Sequence, residues 1–223
     1  MRVLIDNLGA ASEDVADLYM PPRLPWLRVN MVGTVDGAAN GESGKSGSIN
    51  NDADKAVFDA LRAQADAIIV GAGTARTEAY RVAEVPLVVV SHSGQVPTSL
   101  TDAPAGKVVL VVPEISPGRD AAAAALGAEN VIVVGGSQVD LVAMKDALVG
   151  RGWQNLLSEG GPSLLRDLVA SGAADELCLT WVPRLIGGVH PRIVSGESVD
   201  VDLDLAVLAE NEGTLLARWL VRT

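Results

Sequence analysis

Cysteine is nearly missing from these 223 residues: Cys178 stands alone, which excludes an internal disulfide and any multi-cysteine metal site. Histidine is almost as scarce, and with only His92 and His190 the chain argues against a zinc centre. The His-x-Glu and Cys-x-x-Cys elements of a zinc nucleobase deaminase are missing as well. Aromatic residues make up 3%, so the core must be aliphatic. Basic residues are in deficit, 17 against 28 acids, and the net charge of −11 argues against a nucleic-acid partner. No apolar run approaches the ~18 residues of a membrane span. The amino terminus carries an acid by Asp6 and no long apolar stretch, so no signal peptide is expected and a cytoplasmic protein is. What is abundant is aliphatic: hydrophobic residues reach 48%, enough for a sizeable core.

Short apolar runs alternate with helical patterns along most of the chain. Leu27 to Val32, Ala67 to Val70, Leu87 to Val90, Val108 to Val112, Val131 to Val134 and Leu156-Leu157 read as strands. Helices are expected over Ser12 to Tyr19, Asn51 to Ala63, Asp120 to Leu126, Val139 to Val149 and from Pro162 onward. This alternation implies βαβ units and a largely parallel sheet with helices on both faces, a three-layer α/β fold. The last fifty residues differ: one alternating strand around Leu177 to Trp181, then Leu203 to Leu208 and Leu215 to Val221, read as a carboxy-terminal antiparallel hairpin. With no linker in sight, residues 27–223 are taken as one domain and 1–26 as an extension packed on it.

Three glycine-bearing stretches are candidate anion sites. In Glu159-Gly160-Gly161-Pro162-Ser163-Leu164 a strand turns into a helix whose free amides and dipole suit a phosphate. Gly71-Ala72-Gly73-Thr74-Ala75-Arg76 begins like a dinucleotide fingerprint, but Arg76 replaces the third glycine. Ala39 to Ser46 is a relaxed P-loop pattern; its Lys45-Ser46 pair is followed by Gly47-Ser48-Ile49-Asn50 instead of opening a helix directly. Each also has a plain reading as a turn or a mobile polar loop. A non-catalytic nucleotide-binding protein is therefore one candidate function.

Five motifs, in order, resemble the pyrimidine reductase of riboflavin biosynthesis, the RibD carboxy-terminal domain family. They are Asn30-Met31-x-x-Thr34-x-Asp36-Gly37, Leu61-Arg62-Ala63-x-Ala65-Asp66, Gly71-x-Gly73-Thr74, Glu159-Gly160-Gly161-Pro162 and Pro183-x-Leu185-Ile186-Gly187-Gly188. The resemblance implies a dihydrofolate-reductase-like fold, a homodimer and NADPH as hydride donor. It implies reduction of a phosphoribosylaminopyrimidine to its ribitylamino product. It puts Gly71, Gly73, Thr74, Glu78, Ser48 and Gly160 to Leu164 at the cofactor, with Ser91 a candidate for the adenosine 2′-phosphate. It puts Asn30, Thr34, Asp36, Ser46, Arg62 and Glu159 at the substrate, and Arg81 is a candidate for its phosphate. Imine reduction also needs a proton, for which Asp36, Glu159 and a bound water are the candidates. Asn30, Ser48 and Glu78 depart from residues common in the family, which leaves room for a different substrate, a pteridine such as dihydrofolate among them.

Overall fold

The computed structural model describes residues 1–10 and 12–222. Among the described residues ten strands form one sheet: β1 (Arg2–Asp6), β2 (Trp26–Thr34), β3 (Ala67–Gly71), β4 (Leu87–Val90), β5 (Val108–Val112), β6 (Val131–Val133), β7 (Asn155–Ser158), β8 (Glu176–Val182), β9 (Leu203–Asn211) and β10 (Thr214–Val221). Their spatial order is β1-β9-β10-β8-β2-β7-β3-β4-β5-β6. Every pair from β8 to β6 is parallel. The pairs β8/β10, β10/β9 and β9/β1 are antiparallel. The continuous apolar runs follow from this: a parallel strand is covered on both faces, so both sets of alternating side chains are buried.

One face carries α1 (Val15–Leu18), α2 (Asp52–Gln64), α3 (Ala72–Thr77) and α4 (Arg119–Leu126), with Val57, Leu61 and Ala122 packed over Ile68, Val89 and Leu110. The other carries α5 (Leu141–Gly150) and α6 (Pro162–Ala170), with Met144, Leu148, Leu165 and Leu168 over Ile69, Val88 and Val109. The three-layer architecture and the terminal hairpin thus match the expectation. No helix among the described residues is long and apolar enough to cross a membrane.

Two expectations need correction. The first residues do not merely lie on the domain: β1 is the edge strand of the sheet itself, paired to β9 with Arg2 opposite Glu210. Its composition, Arg-Val-Leu-Ile-Asp, is too short and too exposed to signal a strand before its partner is known. The first helix is four residues long and is capped by Asp14, whose side chain accepts from the Ala16 amide; Ser12 sits outside and accepts from the Asp14 amide. As the intervening Gly47-Ser48-Ile49-Asn50 indicates, the P-loop context does not form. Lys45 precedes a three-residue turn of 3-10 helix, Ser46–Ser48, and the next α-helix waits for its own cap at Asn51.

Candidate active site

The carboxyl ends of β2, β3 and β7 open on one side of the sheet, and four side-chain clasps join motifs that are far apart in sequence. Arg62, near the end of α2, meets Glu159 at the end of β7 in a two-pronged pair, Nε to Oε1 at 2.6 Å and a terminal guanidinium nitrogen to Oε2 at 2.8 Å. The Tyr80 hydroxyl donates to the same carboxylate at 2.6 Å. Burial and then the Glu159 charge push the Tyr80 phenol well above its ordinary range, so it stays a donor. Glu159 therefore points across to α2, away from the glycine turn that follows it.

Thr74 and Gly161 form the second clasp. A Cβ on Gly161 would overlap Thr74 Oγ1, so only glycine lets the two segments close to this distance. Beside them the Gly71 amide donates to the Gly160 carbonyl at 2.8 Å, tying the ends of β3 and β7. Gly160 has φ +76° and rests against Met31. Pro162 opens α6, whose first turn carries no acid, leaving the amides of Ser163 and Leu164 at a positive helix end.

The third clasp joins two of the motifs. The Asp36 carboxylate accepts from the Thr34 hydroxyl at 2.5 Å and from the Ile186 and Gly187 amides at 3.2 and 2.7 Å. The Thr34 hydroxyl and the Gly187 amide hold its carboxyl below the usual range. The fourth fixes the polar loop: Ser46 donates from its amide and hydroxyl to Glu78 Oε1 at 2.9 and 3.2 Å.

Two cavities lie along these clasps and meet at Gly73. The larger, about 680 Å³, is lined by Asn30, Ser46, Arg62, Thr74, Glu78, Arg81, Glu159, Gly161 and Pro162 among the expected residues. The smaller, about 570 Å³, is lined by Gly71, Ser91, Ser163 and Leu164 on the far side of α6's first turn. Thr34, Asp36 and Ser48 line neither cavity. Ser48 is occupied within its own loop, accepting from the Gly41 amide and donating to the Lys45 carbonyl. Asp36 clamps the loop of Ile186 and Gly187: both of its oxygens accept hydrogen bonds, and these favour its charged form. Glu159 likewise accepts three hydrogen bonds, two from Arg62 and one from Tyr80.

Several cavity residues lie outside the motifs, Asp54, Phe58, Tyr80 and Arg76 among them. Asp54 and Phe58 lie eight and four residues before Arg62 on α2, one stripe down the helix facing the larger cavity, and Arg62 stacks on the Phe58 ring at 4.3 Å. That i, i+4, i+8 spacing was visible beside the apolar face. Tyr80 carried no local signal. Arg76, set aside as a broken fingerprint, lines the smaller cavity with His92 and Ser93.

The family model for the RibD C-terminal domain matches residues 25–213.

The chain belongs to the RibD C-terminal domain family.

Three of the four clasps join its five motifs to one another: Arg62 with Glu159, Thr74 with Gly161, and Asp36 with Ile186 and Gly187. A 2,5-diamino-6-ribosylamino-4(3H)-pyrimidinone 5′-phosphate reductase of Archaeoglobus fulgidus is 32% identical over 195 residues, covering 78% of this chain and 88% of that relative. The protein of the same name from Methanothermobacter thermautotrophicus is 31% identical over 191 residues, covering 79% and 86%. Among solved structures, a pyrimidine reductase-like protein of Corynebacterium diphtheriae superposes with a TM-score of 0.75 at 27% identity, over 89% of this chain and 92% of that one. The relatives are named as reductases, and a reductase of this family calls for a nicotinamide cofactor.

Proposed function

We propose that this RibD-family chain uses NADPH to reduce the ring-opened ribose imine of a phosphoribosylaminopyrimidine to the ribitylamine. The observation that carries the reading is the junction at Gly73, where two cavities meet beneath the first turn of α6. A long ligand with a central pyrophosphate fits such a junction: the Ser163 and Leu164 amides face its anion, and Gly161 leaves no side chain in its path. Arg76 forms no ion pair among the described residues and stands beside Ser91 and His92, which favours the 2′-phosphate of NADPH over NADH.

The bound nicotinamide supplies the hydride. The chain's own residues position and charge the larger cavity. Arg62 is neutralised by Glu159, so its cation is spent on the cavity wall; Arg81, free of ion pairs among the described residues, takes the sugar phosphate. Glu159 orders Arg62 and Tyr80 around the substrate. With Asp36 clamped and Glu159 accepting, the proton that the imine nitrogen needs would come from water.

The test is consumption of NADPH with the phosphoribosylaminopyrimidine, run beside dihydrofolate. Turnover of the pyrimidine alone is expected; turnover of dihydrofolate alone, or of neither, overturns the reading. Arg81→Ala is expected to raise KM for the pyrimidine about tenfold or more with kcat little changed, the mark of lost uniform binding. Arg76→Ala is expected to raise KM for NADPH and leave that for NADH unchanged.

A further inference from the structure

One wall of the larger cavity holds two buried acceptors that no clasp uses. Asp54 is 4% exposed, and its Oδ1 has no hydrogen-bond partner. Asn30 is 8% exposed, and its Oδ1 has none either. Both line the cavity. They stand close together: the Thr180 hydroxyl bonds the Asp54 carboxyl, Thr180 pairs with Val32, and Asn30 is two residues along the same strand on the same face. Phe58, one helical turn from Asp54, offers a flat apolar surface beside them.

A buried acceptor without a partner costs roughly 1–3 kcal/mol, and more when charged. Burial pushes the Asp54 carboxyl up from its ordinary value, and the Thr180 hydroxyl offsets only part of this. A ligand that presents two adjacent N–H donors removes the cost and restores the charged form. In a 2-amino-4-oxopyrimidine the ring N3–H and the 2-amino group lie side by side, spaced for the two oxygens of one carboxylate. In the 2,4-dioxo ring that deamination produces, an oxygen replaces the amino group and faces the carboxylate acceptor to acceptor.

We propose that Asp54, seconded by Asn30, is the specificity-determining residue that reads the 2-amino edge of the base. This rests on the reductase reading above.

Binding of the two reaction products separates this inference from the reading beneath it, because product binding needs no hydride transfer. The ribitylamino phosphates carrying the 2-amino-4-oxo and the 2,4-dioxo ring are titrated into the protein by calorimetry. Wild type is expected to bind the 2-amino product about tenfold or more tightly than the dioxo product, the ratio of one or two charge-assisted hydrogen bonds. Asp54→Asn is expected to bring the two within about threefold by weakening the 2-amino product, with NADPH affinity unchanged. Asp54→Ser serves if the first variant does not fold, and Asp52→Asn, exposed on the same helix, should leave both affinities alone. Equal affinities in wild type, or a preference that survives both Asp54 variants, overturn the role of Asp54. Failure of NADPH to reduce either pyrimidine overturns the reductase reading instead.

Discussion

Arg62 and Glu159 show how much hangs on one pair. The Glu159 side chain is 3% exposed and that of Arg62 is 34% exposed. Truncating Arg62 leaves a nearly buried carboxylate with only the Tyr80 hydroxyl to satisfy it. Arg62→Ala is expected to cost about 1–3 kcal/mol, below the ~3–5 kcal/mol of a fully buried pair because water reaches the guanidinium. Glu159→Gln should cost less, since the amide still accepts from Arg62. Urea melts of the two variants check the order, and equal losses would mean the pair is not what holds the cavity wall. At Gly161 an added Cβ meets Thr74 Oγ1. Gly161→Ala is expected to weaken NADPH binding and cost about 1–3 kcal/mol of stability, as overpacking does. Adding Thr74→Ala should restore part of both; a strictly additive double variant would show that the two residues do not touch.

Helix α2 presents one stripe to the core and another to the cavity, so its placement decides the site. Its cap, Asn51, accepts from the Asp54 amide at 3.0 Å and donates to the Thr214 hydroxyl at 2.7 Å, tying the helix start to β10. Asn51→Ala is expected to cost about 1–2 kcal/mol, which in a chain of this size lowers Tm by roughly 2–8 °C. A shift under about 1 °C would show that the cap is dispensable. Elements such as α2 were legible because their signals are local: a capping residue, a period of 3.6, a glycine at a strand end. Strand β1 was not, because an edge strand with mixed exposure takes its identity from β9, more than two hundred residues away. Tyr80 was not legible for the same reason. Nothing next to it in sequence announces Glu159.

Across the whole molecule, one ion cluster locks the two ends of the chain to the sheet. Glu176, buried in β8, accepts from Arg218 Nε at 2.5 Å and from Trp26 Nε1 at 2.7 Å, with Arg28 at 3.5 Å. The same arginines donate to the carbonyls of Leu18, Tyr19 and Met20, pinning the segment after α1. Burial alone pushes the Glu176 carboxyl up, but Arg28 and Arg218 more than offset it and hold it below the usual range. Its folded form thus titrates below its unfolded form. The stabilisation is complete above the unfolded pKa and is lost as pH falls through the folded one. Glu176→Gln is expected to cost about 3–5 kcal/mol near neutral pH by leaving two buried guanidiniums without an anion. The gap between variant and wild type should narrow as urea melts move below pH 4, and a gap independent of pH would remove the charge from the account. By itself the sequence determined the three-layer α/β class, the largely parallel sheet, the scarcity of cysteine and histidine and the motifs of the family. Those properties depend on composition and on neighbours a few residues apart. Only the tertiary structure decided that Asp36 clamps a loop, that Arg62 spends its charge on Glu159, and that Asp54 and Asn30 are left with bare acceptors facing a cavity. Each of these depends on which group from a distant strand completes a hydrogen bond, and that is settled by the packing of the whole sheet.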